Sequence, residues 1–127
     1  MNEADAQVSW VYRASQQDGL EPLPVILMLH GWTGDENSMW VFTTRMPQKR
    51  LLIAPRGLYP APQGGYAWHT THNGWPHLDQ FLPAVESLSE WLVPARFPEA
   101  DFSEMHLVGF SQGAALAYAF TLSHTER

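Results

Sequence analysis

Met105-His106-Leu107-Val108-Gly109-Phe110-Ser111-Gln112-Gly113-Ala114-Ala115-Leu116 passes from an apolar run into an alanine-rich one through a pair of glycines that flank a serine. Met105 to Phe110 predicts a short buried strand, and Gln112 to Leu122 predicts a helix that follows with almost no loop. Gly109 to Gly113 has the form GxSxG, in which a serine occupies a strained turn between strand and helix and holds its hydroxyl above the sheet. Glycine and serine are common residues, so the pattern alone is weak. Its position after a buried strand and before the small residues Ala114 and Ala115 is the context that it requires. The plainer alternative is a serine that caps a helix after a glycine turn.

Working outward, Pro24 to Leu29 (PVILML) is continuous and branched, as expected of a parallel strand covered on both faces. It runs into a glycine-punctuated loop, His30 to Gly34. Asp35 is then placed to cap a helix in which Met39, Phe42 and Met46 recur before Pro47 stops it. Arg50 to Ala54 reads as a second buried strand. Nearer the amino terminus, Val8 to Arg13 alternates like a half-buried strand, and Gln16 to Gly19 turns the chain. Residues 55 to 77 are dense in proline and glycine, and a loop of that length in a small domain is usually functional or mobile. Leu78, Phe81, Leu82, Val85, Leu88 and Leu92 trace an amphipathic helix that tolerates Pro83 in its first turn. The alternation of strands and helices predicts an α/β fold, a mostly parallel sheet with helices on both faces.

With 127 residues, 45% hydrophobic and 13% aromatic, residues 1–127 read as one domain with one core and no repeat. Thirteen acidic and seven basic side chains leave a net charge of -6, which opposes phosphate backbones and anionic lipid, so no nucleic-acid partner is expected. The absence of cysteine excludes thiolate catalysis, disulfides and cysteine zinc sites. There is no HExxH, Walker or dinucleotide glycine pattern, so no metal and no cofactor are expected. The longest wholly apolar run, Pro24 to Leu29, falls far short of the roughly 20 residues that span a bilayer. The opening Met1 to Trp10 lacks the basic and apolar character of a leader. A soluble, cytoplasmic protein is the expectation.

Ser111 is the candidate nucleophile. A tetrahedral intermediate would carry negative charge on the former carbonyl oxygen, and losing one fixed N–H donor there costs about 3 to 4 kcal/mol. One donor is expected from the residue after the nucleophile, Gln112, at a helix amino terminus whose dipole favours an anion. The other is expected from the loop after the first buried strand, and Trp32 in His30-Gly31-Trp32-Thr33-Gly34 is the choice. Tyr66, Trp68 and Trp75 could wall an acyl or alcohol pocket, or simply cover the sheet.

Leu29 to Trp40 (LHGWTGDENSMW), Leu51 to Gly57 (LLIAPRG), Tyr66 to Thr70 (YAWHT) and Leu107 to Ala117 (LVGFSQGAALA) together resemble the phospholipase/carboxylesterase family of α/β-hydrolases, to which acyl-protein thioesterases belong. The resemblance runs from about Pro24 to the end of the chain. It implies an α/β-hydrolase fold and hydrolysis of carboxylic ester or thioester bonds without a cofactor, on a small-molecule ester or acyl substrate. Thr33 stands where many relatives have a second glycine. A peptidase or acyltransferase on the same fold, or a non-catalytic half-domain that binds a partner, are the alternatives.

A serine needs a histidine base oriented by a carboxylate, and this fold presents them in the order Ser, acid, His. After Ser111 only Glu126 and His124 occur, in the wrong order. Along a helix at about 1.5 Å per residue, His124 would lie roughly 20 Å from the serine. His69, His72 and His77 in the long loop are weaker candidates, and His106, inside a predicted buried strand, is expected to be a satisfied core residue. The expectation is therefore an amino-terminal portion of the fold, cut after the nucleophile helix. Its missing acid and base would come from a complementing carboxy-terminal segment, and self-association through an unpaired sheet edge is the other expected partnership.

Overall fold

The computed structural model describes residues 10–16, 22–46, 49–69 and 78–123. In chain order these form β1 (Tyr12–Gln16), β2 (Leu23–Leu29), a 3-10 helix (Ser38–Arg45), β3 (Leu51–Pro55) and the two-residue strands β4 (Tyr59–Pro60) and β5 (Tyr66–Ala67). A 3-10 turn (Leu78–Phe81), α1 (Leu82–Trp91), β6 (Ala100–Gly109) and α2 (Gln112–Ser123) follow. The main sheet has the order β1-β3-β2-β6, with β3, β2 and β6 parallel and β1 antiparallel at one edge. Among the described residues nothing pairs with the other edge of β6.

The apolar continuity of β2 and β3 reflects two covered faces. Side chains alternate across a strand, so Leu23, Val25, Leu27 and Leu29 join Leu51 and Ile53 in one cluster with Val85 and Leu88 of α1 and Leu116 and Phe120 of α2. Ile26 and Met28 join Leu52 and Ala54 in a second cluster on the opposite face, closed by Met39 of the 3-10 helix. Burying each of these larger side chains contributes about 1.5 to 3 kcal/mol. β4 and β5 pair as a small separate hairpin inside the proline- and glycine-rich segment.

Several expectations shift. The first strand begins at Tyr12 and extends to Gln16, because its pairing with β3 runs from Tyr12↔Pro55 to Gln16↔Leu51. Trp10 stands just ahead of it and stacks on Trp91 at 5.0 Å. Val8 and residues 17–19 of the expected turn lie outside the described residues. The segment after Asp35 is a 3-10 helix with Asn37 as its cap, and Asp35 acts one step earlier, its Oδ1 accepting the Asn37 N–H at 2.8 Å. The expected stripe is not kept: Met39 is buried, while Phe42 is 43% exposed and meets Phe110 at 6.5 Å. Pro47 lies outside the described residues.

Pro83 sits in the first turn of α1, where its missing N–H removes no helical bond. Phe81, Val85, Leu88 and Leu92 are buried with Ala84 and Trp91, but Leu82 is 44% exposed, because it falls between the turns that face the sheet. β6 is longer than expected and only half-buried, with a bulge opposite Pro24/Val25, since β2 covers just one of its edges. His106 is exposed on it, so the expectation of a buried histidine is corrected.

Candidate active site

Only Phe110 and Ser111 separate β6 from α2. Ser111 has φ +57, the left-handed region that non-glycine residues seldom adopt, and its side chain is exposed. The turn is locked on both sides. Phe110 N–H donates to Leu29 O at 3.1 Å, Gly113 N–H to Phe110 O at 2.9 Å, and Ala114 N–H to Ser111 O at 2.9 Å. A Cβ on Gly113 would stand 2.0 Å from Leu29 O and 2.5 Å from His30 O, so the first turn of α2 rests directly on the end of β2. A Cβ on Gly31 would stand 2.9 Å from Phe110 O and 3.1 Å from Ser111 Cβ. The loop after β2 therefore touches the serine turn, and Trp32 follows Gly31 directly. Among the described residues, neither the Trp32 nor the Gln112 amide donates to a main-chain carbonyl.

The loop is held by β5. Thr33 N–H donates to Tyr66 O at 3.0 Å, Tyr66 N–H to Gly34 O at 2.8 Å, and Gly34 N–H to Gly31 O at 3.0 Å. Thr33 adopts φ +68, the conformation a glycine would supply without strain, and it is β-branched. Such a residue in the left-handed region costs about 1 to 3 kcal/mol. Thr33→Gly relieves this, partly offset by about 0.5 to 1 kcal/mol of added freedom in the unfolded chain. A net gain of about 1 kcal/mol in urea unfolding is expected, and a loss of stability would show that the strain is absent.

His30 is buried at the end of β2. Its Nε2 accepts the Gly57 N–H at 2.8 Å, so Nδ1 carries the proton and donates to Gly31 O at 2.7 Å. Burial is the main cause that lowers its pKa from the ordinary 6.5, outweighing the opposing Gly31 hydrogen bond and the charges of Asp35 and Glu36. The unfolded chain then binds the proton more readily than the folded one. The stability this gives is full at neutral pH and falls as pH drops from about 6.5 towards the lower folded value. Melting temperatures between pH 7.5 and pH 5 should decline more steeply in the wild type than in His30→Gln; equal slopes would refute this.

The structure places Trp68 in the core and Tyr66 at a cavity beside Arg56. Trp68 is 0% exposed, its indole N–H donating to His30 O at 2.9 Å and its main-chain N–H to Gln112 Oε1 at 2.6 Å. Tyr66 lies beneath the Arg56 guanidinium at 4.4 Å, and Arg56 is bound through two nitrogens to Glu36 at 2.8 and 3.0 Å. Tyr66 lines a cavity of about 570 Å³ with Trp10, Arg56, Tyr59, Pro83 and Ser87, to which none of Ser111, Trp32 and Gln112 contributes. His69 is buried beside the turn, where Gln112 Nε2 donates to its Nε2 at 3.1 Å. Among the described residues no histidine or carboxylate hydrogen-bonds the Ser111 hydroxyl. His72, Trp75, His77, His124 and Glu126 lie outside the described residues. Sequence reasoning missed the His30 and Gln112 side-chain contacts, whose partners lie 27 and 44 residues away. A buried strand that ends in a histidine was the one available signal for the first.

Strand order, the left-handed serine and the glycine seats at Gly31 and Gly113 are those of an α/β-hydrolase fold. No family model matches the chain. A solved carboxylesterase from Mesorhizobium loti is similar at TM-score 0.74 and 20% identity, over 91% of this chain and 55% of that one. Esterase PE8 is similar at TM-score 0.70 and 20% identity, over 91% of this chain and 58% of that one. A Bacillus subtilis (strain 168) protein named "Putative 2-succinyl-6-hydroxy-2,4-cyclohexadiene-1-carboxylate synthase" is 29% identical over 118 residues, 90% of this chain and 37% of that protein. The chain thus spans just over half the length of these solved structures and little over a third of the curated relative. Among the described residues no helix is long and apolar enough to cross a membrane.

Proposed function

We propose that the protein is a serine hydrolase of carboxylic esters or thioesters, akin to the phospholipase/carboxylesterase family, acting through an acyl-enzyme on Ser111. The observation that carries this reading is the left-handed serine at φ +57, seated against Gly31 at the carboxyl end of a parallel strand. Ser111 Oγ attacks the substrate carbonyl carbon and passes its proton to a base. The carbonyl oxygen becomes an oxyanion that accepts hydrogen bonds from the Trp32 and Gln112 amides, the latter at the positive end of α2. Collapse of the intermediate breaks the bond to the alcohol or thiol, which leaves with the proton, and water then releases the acid and restores the serine. The base and its carboxylate belong to the reading as groups outside the described residues. The likeness to a carboxylesterase and an esterase supports ester chemistry on a small-molecule substrate. The test is Ser111→Ala in the full-length protein, read as turnover of a p-nitrophenyl ester; undiminished turnover overturns the reading.

A further inference from the structure

We infer that Trp68 is a positioning residue that sets the spacing between the two proposed oxyanion donors; the inference rests on the hydrolase reading above. Those donors lie on separate elements, Trp32 in the loop after β2 and Gln112 at the start of α2. An oxyanion can bridge them only if both N–H groups reach it at about 2.7 to 3.1 Å, and a displacement of about 1 Å can cost 100-fold in rate.

Trp68 is bonded to both sides. Its indole N–H donates to His30 O, two residues before Trp32, at 2.9 Å. Its main-chain N–H donates to Gln112 Oε1 at 2.6 Å. Its ring lies 5.1 Å from the His30 imidazole, which itself holds Gly31 O and the Gly57 amide. The residue is wholly buried, and its indole bond is shielded from water and strengthened by the low local dielectric, while the bond to Gln112 is partly buried. The Gln112 side chain, extended by its bond to His69 at 3.1 Å, thus works as a tether and its main-chain N–H as the donor. A tryptophan that only filled the core would need one partner for its indole; this one joins the two elements whose separation the chemistry depends on.

The tether matters only once charge develops in the transition state, so its loss should lower kcat and leave KM nearly unchanged. Trp68→Phe removes the indole donor and keeps an aromatic ring, and Gln112→Met removes the acceptor while retaining the main-chain N–H. In the full-length protein each is expected to lower kcat on p-nitrophenyl acetate about tenfold or more with KM within about twofold. The double variant should fall short of the product of the single losses, because either substitution breaks the same link. Wild-type labelling of Ser111 by a fluorophosphonate, mapped by peptide mass, is measured first and tests the hydrolase reading separately from the tether. Given that labelling, a folded Trp68→Phe with unchanged kcat, a rise in KM equal to the fall in kcat, or strictly multiplicative losses would each overturn the inference. If Trp68→Phe does not fold, Gln112→Met decides alone by the same split.

Discussion

Ser111→Ala in the full-length protein is expected to reduce kcat on p-nitrophenyl esters by about 10⁴- to 10⁶-fold, the loss seen when the nucleophile of a serine hydrolase is removed. The fold should not change with it. Alanine meets the same left-handed backbone as serine, and the exposed hydroxyl of Ser111 has no partner among the described residues whose loss would strand a buried group. Urea unfolding of this variant should lie within about 0.5 kcal/mol of the wild type. Ser111→Gly separates the two effects further, since it is equally inactive yet relieves the strain at φ +57. Inactivity accompanied by a large loss of stability in Ser111→Ala would mean that the serine holds the turn together, and the kinetic result would no longer speak for a nucleophile.

Gly113→Ala is expected to be strongly disruptive for the addition of a single methyl group. The added carbon would lie 2.0 Å from Leu29 O and 2.5 Å from His30 O, and both obstacles are main chain at the end of a central strand, unable to swing aside as a side chain could. The helix must lift off the sheet. Overpacking of this kind costs about 3 kcal/mol or more. The lift also carries Ser111 and Gln112 away from Gly31, so esterase activity should fall with stability. An alanine variant with wild-type unfolding and activity would show that α2 does not rest on β2 in this way, and the contact between the serine turn and the Gly31 loop would lose its support.

Much of the architecture was legible along the chain because it follows from local rules. The unbroken apolar run Pro24 to Leu29 announces a strand covered on both faces, since either face left open would have required alternation. Gly109 to Gly113 announces a strained turn between strand and helix, with glycines where an added Cβ would meet main chain. Thr33, in a loop position associated with glycine, takes the backbone a glycine would take, φ +68. In each case the information lies in a residue's own conformational range or in the period of its neighbours.

Tertiary structure decided what depends on distant partners. The same apolar character that suggested Trp68 for a pocket wall is satisfied by complete burial, because its two N–H groups find His30 O and Gln112 Oε1, 38 and 44 residues away. Tyr66 turns to Arg56 and another cavity, and His106 faces outward on a strand with one edge unpaired among the described residues. The sequence alone determined that a serine would stand on a strained bend at the end of a parallel strand. Which polar groups brace that bend was left to the fold, because hydrogen-bond partners far apart in the chain are chosen by packing and leave no periodic trace.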